Sequence, residues 1–208
     1  PVDQGDQPYY SYLNQGADFG VEFTDSMHNK GVGRNYGIEI TAERFLHNGF
    51  YYLNTLSLFR SFYTDRFGDE HPTAFDNRYA LNLLAGKEFM FKSKKGGKQE
   101  SITLDLRFMM NGGRRYTPVL EEESMIRQEV VYDLSSSFSA FWEPYYRADL
   151  RVAYKSQGKR VSQEWGIDIQ NISNRQNIFR KTYNPATNDY ETTYQTGLLP
   201  IMLYRLLF

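Results

Sequence analysis

The sequence predicts an all-β chain, a segment of a transmembrane antiparallel β-barrel, and three observations predict it. Apolar and polar residues alternate with a period of two in several separate segments, the pattern of strands with one apolar and one polar face. The connections between those segments alternate between short polar turns bearing Gly or Asn and much longer loops, as when turns gather at one end of a sheet and loops at the other. The last segment, Leu198 to Phe208, keeps Tyr204, Leu206 and Phe208 on one face and closes on an aromatic ring.

Residues 1–33 carry Gly5, Gly16, Gly20, Gly31, Gly33, Asn14 and Asn29. They read as a long extracellular loop region with a short hairpin around Phe19 to Phe23. Strands occupy 34–208. In 34–45, Tyr36, Ile38, Ile40 and Ala42 oppose Asn35, Gly37, Glu39, Thr41 and Glu43. Leu46-His-Asn-Gly49 then turns the chain into 50–62, a mixed segment whose faces the pattern does not assign. In 77–91, Tyr79, Leu81, Leu83 and Ala85 oppose Arg78, Ala80, Asn82, Gly86 and Glu88. After the polar turn Lys92 to Gln99, 100–111 has the cleanest alternation: Ile102, Leu104, Leu106, Phe108 and Met110 against Ser101, Thr103, Asp105 and Arg107. A helix would scatter these residues around its circumference. A slip of one residue would put Asp105 and Arg107 into lipid, at roughly 2–4 kcal/mol for a cation near the midplane, so register is well specified.

In 145–156, Tyr146, Ala148, Leu150, Val152 and Tyr154 oppose Arg147, Asp149, Arg151, Ala153 and Lys155. Ser156 to Arg160 is the third short turn, leading into 161–172 with Trp165, Ile167 and Ile169 against Glu164, Asp168 and Gln170. The long connections are about 63–76, 112–144 and 173–197; the last contains a hairpin whose tip is Asn184-Pro-Ala-Thr-Asn-Asp189. The closing strand is 198–208. Seven strands result, an odd number, whereas single-chain bacterial barrels have an even one. The expectation is therefore part of a larger barrel. Aromatics crowd the strand ends (Tyr36, Phe50, Tyr51, Tyr52, Phe62, Tyr63, Phe89, Phe91, Tyr145, Tyr146, Tyr154, Trp165, Tyr204, Phe208), where an amphipathic ring suits a lipid–water boundary; aromatics also favour strands of any kind.

Composition agrees with this. Of 208 residues, 16% are aromatic, 17 of them Tyr. The longest apolar runs fall well short of the roughly 18 residues a membrane helix needs. A mean hydropathy of −0.62 suits barrel strands, because their inner faces are polar. The formal net charge of −1, with both signs interspersed, gives no electrostatic footprint for nucleic acid. The absence of cysteine removes disulfides and thiolate catalysis. The start at Pro1-Val-Asp-Gln has neither a positive n-region nor an apolar h-region, so any signal peptide is expected outside this sequence.

Several stretches together resemble the C-terminal barrel of TonB-dependent outer-membrane receptors. They are Gly33-Arg-Asn-Tyr-Gly-Ile-Glu39, Asn82-Leu-Leu-Ala-Gly-Lys-Glu-Phe89, Gly112-Gly-Arg-Arg-Tyr-Thr-Pro118, Asp168-Ile-Gln-Asn-Ile-Ser-Asn-Arg-Gln-Asn177 and the closing strand to Phe208. The terminal Phe208 behind Tyr204 and Leu206 also resembles the assembly signal of bacterial outer-membrane barrels. The resemblance implies about seven strands of a 22-stranded barrel in the outer membrane of a Gram-negative bacterium. It implies uptake of a scarce nutrient (siderophore, glycan, peptide or cofactor) and no catalysis. Implied partners are the rest of the barrel, a plug domain, the TonB complex, outer-membrane lipid, the barrel assembly machinery and, in some members, a surface lipoprotein. Neither the plug nor the TonB box falls within this sequence. Two alternatives stay open: a small eight-stranded outer-membrane barrel of structural or adhesive role, and a soluble ligand-binding β-protein with the apolar faces inside.

Candidate binding residues are Arg114, Arg115 and Tyr116, where two guanidiniums beside a ring could hold a carboxylate, phosphate or sugar. The competing reading pairs the arginines with Glu121, Glu122 or Glu123. Asp105, Arg107, Arg147, Asp149, Arg151, Glu164 and Asp168 are expected to line the lumen and contact the plug. Asn171, Asn174, Arg175, Gln176 and Asn177 read first as turn and backbone-capping residues. His28, His47 and His71 lack metal-ligand spacing, although His71 follows Asp69-Glu70. No metal or cofactor is expected, and no hydrolase, nucleotide-binding or metalloprotease motif is present.

Overall fold

A computed structural model describes residues 11–14, 31–92 and 99–208; the hairpin expected around Phe19 to Phe23, and His28, lie outside them. The strands in chain order are β1 (Val32–His47), β2 (Phe50–Thr64), β3 (Glu70–Pro72), β4 (Tyr79–Lys92), β5 (Gln99–Asn111), β6 (Arg115–Tyr116), β7 (Ala140–Phe141), β8 (Tyr145–Gln157), β9 (Ser162–Gln170), β10 (Ile178–Asn184), β11 (Asp189–Tyr194) and β12 (Leu199–Leu207). One short helix, α1 (Glu121–Arg127), lies between β6 and β7. The seven long strands expected from the sequence pair as one antiparallel sheet in the order β1-β2-β4-β5-β8-β9-β12, with β3 added to β2. Among the described residues, β1 and β12 are the open edges of this meander.

The tightest connection shows how local chemistry starts the sheet. Asn48 and Gly49 both have positive φ, 51° and 73°, the conformation a two-residue hairpin needs to match the twist of its strands. His47 therefore sits opposite Phe50; after an irregularity between Arg44 and His47, the β1–β2 register runs from Arg44 opposite Tyr52 to Val32 opposite Thr64.

Register aligns the alternating residues into rows. Tyr52, Ala85, Leu106, Leu150, Ile169 and Pro200 cross six strands in line. Leu104, Val152, Ile167 and Met202 follow one step nearer the short turns, then Phe89, Ile102, Tyr154, Trp165 and Tyr204. In that last row Trp165 has Tyr154 at 5.7 Å and Tyr204 at 5.5 Å between ring centroids. Toward the long loops, Ile40, Leu56, Leu81, Met110 and Tyr146 form the matching upper row. From Tyr146 to Tyr154 is about 26 Å of strand at 3.3 Å per residue.

Among the described residues nothing covers this apolar face. Leu106 is 49% exposed, Ile167 47% and Met202 87%, whereas the buried hydrophobic residues described are only Tyr63, Ala74, Ala153 and Tyr183. The opposite face carries most of the sheet's charges; Arg34, Arg44, Arg60 and Lys87 are the cations of the apolar face, Lys87 leading the row of Leu104, Val152 and Ile167. Asp105 stands across from Arg151, Arg151 from Asp168, and Arg107 from Asp149. Arg151 bonds Glu164 at 2.7 Å, Arg205 reaches the same carboxylate at 3.4 Å, and Arg147 holds Asp149 at 2.6 Å. Tyr51 lies over Gly86, where a side chain would collide with its ring, and donates its hydroxyl to Asp105. The residues expected on the polar face that lie within strands are thus on one face of the sheet; Arg78, with φ 69°, precedes β4 and lies outside it.

Three aromatics expected at the apolar boundary sit on the polar face instead. Tyr51, Tyr63 and Tyr145 each adjoin another ring in sequence, and neighbours in a strand point to opposite sides; Tyr52, Phe62 and Tyr146 take the apolar face. The unassigned segment 50–62 is now clear: Phe50, Tyr52, Leu56, Leu58 and Phe62 are on the apolar face, joined by Asn54 and Arg60. Phe208 follows the end of β12 and is fully exposed.

Candidate functional site

The three long loops gather at one end of the sheet, and each is tied down by a polar residue that satisfies backbone groups. In the β2–β4 loop, Asp65 accepts from the amides of Phe67 at 2.8 Å and Asp69 at 2.9 Å, and His71 Nε2 lies 3.0 Å from its other oxygen. Burial by itself would push the Asp65 carboxyl up. The His71 hydrogen bond and the two amides outweigh burial and hold it below the usual carboxylate range. A depressed folded-state value stabilises the loop above the ordinary carboxylate range, and that stabilisation is lost as pH falls through the depressed value. Protection of the Phe67 and Asp69 amides against hydrogen exchange is therefore expected to stay level at neutral pH and to drop only in strong acid. Asp65→Asn should remove this pH dependence; an unchanged acid profile in the variant would reject the assignment. His71 is accounted for structurally, and no group of three or more metal-ligating side chains converges among the described residues.

The Gly112-Gly113 pair is explained by close approach. A Cβ at Gly112 would strike the Asn77 carbonyl, and one at Gly113 the Trp142 carbonyl, so only glycine lets the three backbones meet. Immediately beyond, Arg115 is 5% exposed. Its Nη2 reaches Asp76 Oδ2 at 2.7 Å, its Nε the same oxygen at 3.0 Å, and its Nη1 the Phe138 carbonyl at 2.8 Å. Asp76, itself fully buried, also accepts from the Ser61 amide at 2.9 Å and from Arg60 Nε at 3.3 Å. The acidic partner of Arg115 thus comes from the β2–β4 loop and not from Glu121, Glu122 or Glu123. Glu123 pairs with Arg127 inside α1, and Glu121 accepts from the Tyr190 hydroxyl at 3.1 Å.

The Asn-rich stretch after β9 caps backbone groups, as its composition suggests. Asn171 donates to the Arg175 carbonyl at 2.8 Å, Asn174 accepts from the Leu198 amide at 2.9 Å, and Asn177 bonds both the amide and the carbonyl of Tyr146. Arg175 stacks on Tyr146, 3.7 Å from its ring centroid, and reaches Glu143 at 3.3 Å. The β10–β11 hairpin is latched to α1 by Tyr190. Burial, then the bond to Glu121, pushes that phenol up to about 12, so it remains a donor at neutral pH.

Between the second and third loops, at the top of the polar face, lies a cavity of about 730 Å³. That volume is within the range of small-molecule sites. Its floor includes Asn111, Arg147, Gln170 and Leu199; Arg114, Trp142 and Glu143 form one wall, Phe179 and Tyr194 another. Rings offer stacking surface, and the amides both donate and accept. Asn77 is also in the wall.

Of the three residues singled out for binding, Arg114 lines this cavity, its guanidinium carbon 5.4 Å from the Trp142 ring centroid. Arg115 is committed to Asp76, and Tyr116 backs Trp142 at 6.0 Å. Arg147 borders the cavity floor, while Asp105, Arg107, Arg151 and Asp168 lie further down the polar face. Trp142, Glu143, Phe179 and Tyr194 are additions that only the loop packing reveals. Comparison of the chain with protein-family models, characterised proteins and solved structures finds no match. Fold and site define an all-β protein with an antiparallel sheet and a loop-walled cavity at one end.

Proposed function

We propose that this chain is the C-terminal part of the barrel of a TonB-dependent outer-membrane transporter, and that its long loops wall part of an extracellular solute site. The observation that carries the reading is the exposed apolar face, bounded by aromatic rows, behind a sheet whose other face is charged. A water-soluble β-protein would bury that face. A sheet in lipid turns it outward, and its charged face lines an interior. β1 and β12, the open edges among the described residues, add support, because unpaired N–H and C=O groups in hydrocarbon cost several kcal/mol each and call for further strands. Plug, TonB complex, assembly machinery and a surface lipoprotein are the partners this reading implies. The cavity lining suits a polar solute with a flat apolar face, a description that covers glycans, peptides and siderophores alike.

These 208 residues contain no cysteine, so once any cysteine elsewhere in the full-length protein is replaced, labelling reports the introduced thiol alone. Single cysteines at Ile126 or Asp189, in the long loops, should react with a membrane-impermeant maleimide on intact cells expressing the full-length protein. A cysteine at Lys159, in a short turn, should react only after the outer membrane is opened. Equal labelling of all three on intact cells would defeat the reading.

A further inference from the structure

We propose that the apolar face of β1 and β2, at its long-loop rim, carries a binding site for the phosphate headgroup of an anionic membrane lipid. The site rests on the reading of that face as lipid-facing. Register puts Arg34 opposite Phe62 and Tyr36 opposite Arg60, a checkerboard of two guanidiniums and two rings directly above Ile38 and Leu58. Arg34 Cζ is 5.6 Å from the Tyr36 centroid and 5.7 Å from that of Phe62, and Arg60 Cζ is 4.6 Å from Phe62. The two rings stack at 6.2 Å. Phe62 is thus flanked by both cations, which share one small area of surface.

The charges there are incompletely answered. Asp76 serves both Arg115, at 2.7 Å, and Arg60, at 3.3 Å, so one carboxylate faces two guanidiniums. Glu70 answers Arg34 at 2.8 Å, but both side chains are well exposed, and water and salt screen such a pair so that it holds only weakly. Among the described residues, three arginines of this cluster share two carboxylates. Guanidinium is the donor that fits phosphate bidentately, and stacking on rings holds its plane in place. Below the checkerboard the same face continues as Ile38, Ile40, Leu56 and Leu58, a track for acyl chains. A soluble phosphate would gain nothing from that track, which is why a lipid is the occupant assigned. The opposite rim is different: Arg44 and Lys87 each meet one ring, at 5.8 and 6.0 Å, and Lys87 is bonded to the Asn48 carbonyl.

The test is native mass spectrometry of the full-length protein released from phosphatidylcholine nanodiscs containing a small fraction of phosphatidic acid. The wild type should retain phosphatidic acid in preference to phosphatidylcholine. Arg34→Gln with Arg60→Gln should lower that retention about tenfold, the equivalent of roughly 1.4 kcal/mol, and leave phosphatidylcholine unchanged. Arg34→Lys with Arg60→Lys should recover part of it, because charge returns without the planar fork. Arg44→Gln with Lys87→Gln, on the other rim, should behave as the wild type does. Retention unchanged in the Gln pair, or lowered equally in the Arg44/Lys87 pair, would overturn the site. So would displacement of the lipid by millimolar inorganic phosphate, which would mark a site for a soluble anion. Failure of the wild type to enter nanodiscs at all would sink the membrane reading, and this site with it.

Discussion

Asp76→Ala is expected to loosen the whole long-loop end of the sheet, at about 3–5 kcal/mol, the usual result of removing one member of a buried ion pair. Arg115 would remain 5% exposed with no carboxylate, and the Ser61 amide would lose its acceptor. Because Asp76 belongs to the β2–β4 loop and Arg115 to the β5–β8 loop, the two would come apart. Limited proteolysis within 112–144 and equilibrium unfolding by urea would read the effect. The double variant Asp76→Leu with Arg115→Met should recover much of the loss, since an apolar pair of similar volume leaves no stranded charge. A loss under about 1 kcal/mol in the single variant would show that the pair does not hold the loops together.

On the proposal that this face meets lipid, Leu106→Arg is expected to hinder insertion into bilayers by about 2–4 kcal/mol, the cost of a cation near the midplane. Leu106 lies between the two boundary rows, with Ala85 on one side and Leu150 on the other, so no carboxylate flanks it in its row. Arg107→Leu, one residue along and on the opposite face, should insert nearly as well as the wild type. The comparison isolates facing from composition, because each variant changes one adjacent residue of the same strand. Equal insertion of the two in a bilayer folding assay would reject the assignment of faces.

The strand framework was legible in advance because alternation is a local signal: side chains two apart share a face whatever the strand pairs with. Segment 50–62 resisted for a definite reason. It places Asn54 and Arg60 on the apolar face and Tyr51, Leu53 and Phe59 on the polar one, so both faces are mixed. Arg60 is tolerated there because it meets Asp76 and the Phe62 ring at the long-loop rim. β12 is mixed in another way, with Leu199, Ile201, Leu203 and Leu207 on the same side as Asp168 and Glu164; its Tyr204, Leu206 and Phe208 pattern was still readable.

The candidate site was only partly legible. The Gly112 to Pro118 stretch drew attention as a sequence, and Arg114 does line the cavity. Its neighbour Arg115 points to Asp76, a residue 39 positions earlier that no spacing rule connects to it. Trp142, Glu143, Phe179 and Tyr194 come from two loops that meet only after the strands have paired.

By itself the sequence determined the strands, their register-defining alternation, the alternation of short turns with long loops, and the separation of a charged face from an apolar one. All of these follow from contacts between residues near in the chain or from the pleat of a single strand. The tertiary structure alone decided which loop carboxylate answers which arginine, which rings wall the cavity, and how Arg34 and Arg60 come to share one patch. Those outcomes depend on groups far apart in sequence competing for the same few partners, and a buried charge goes to whichever partner the packed backbones bring within hydrogen-bonding distance.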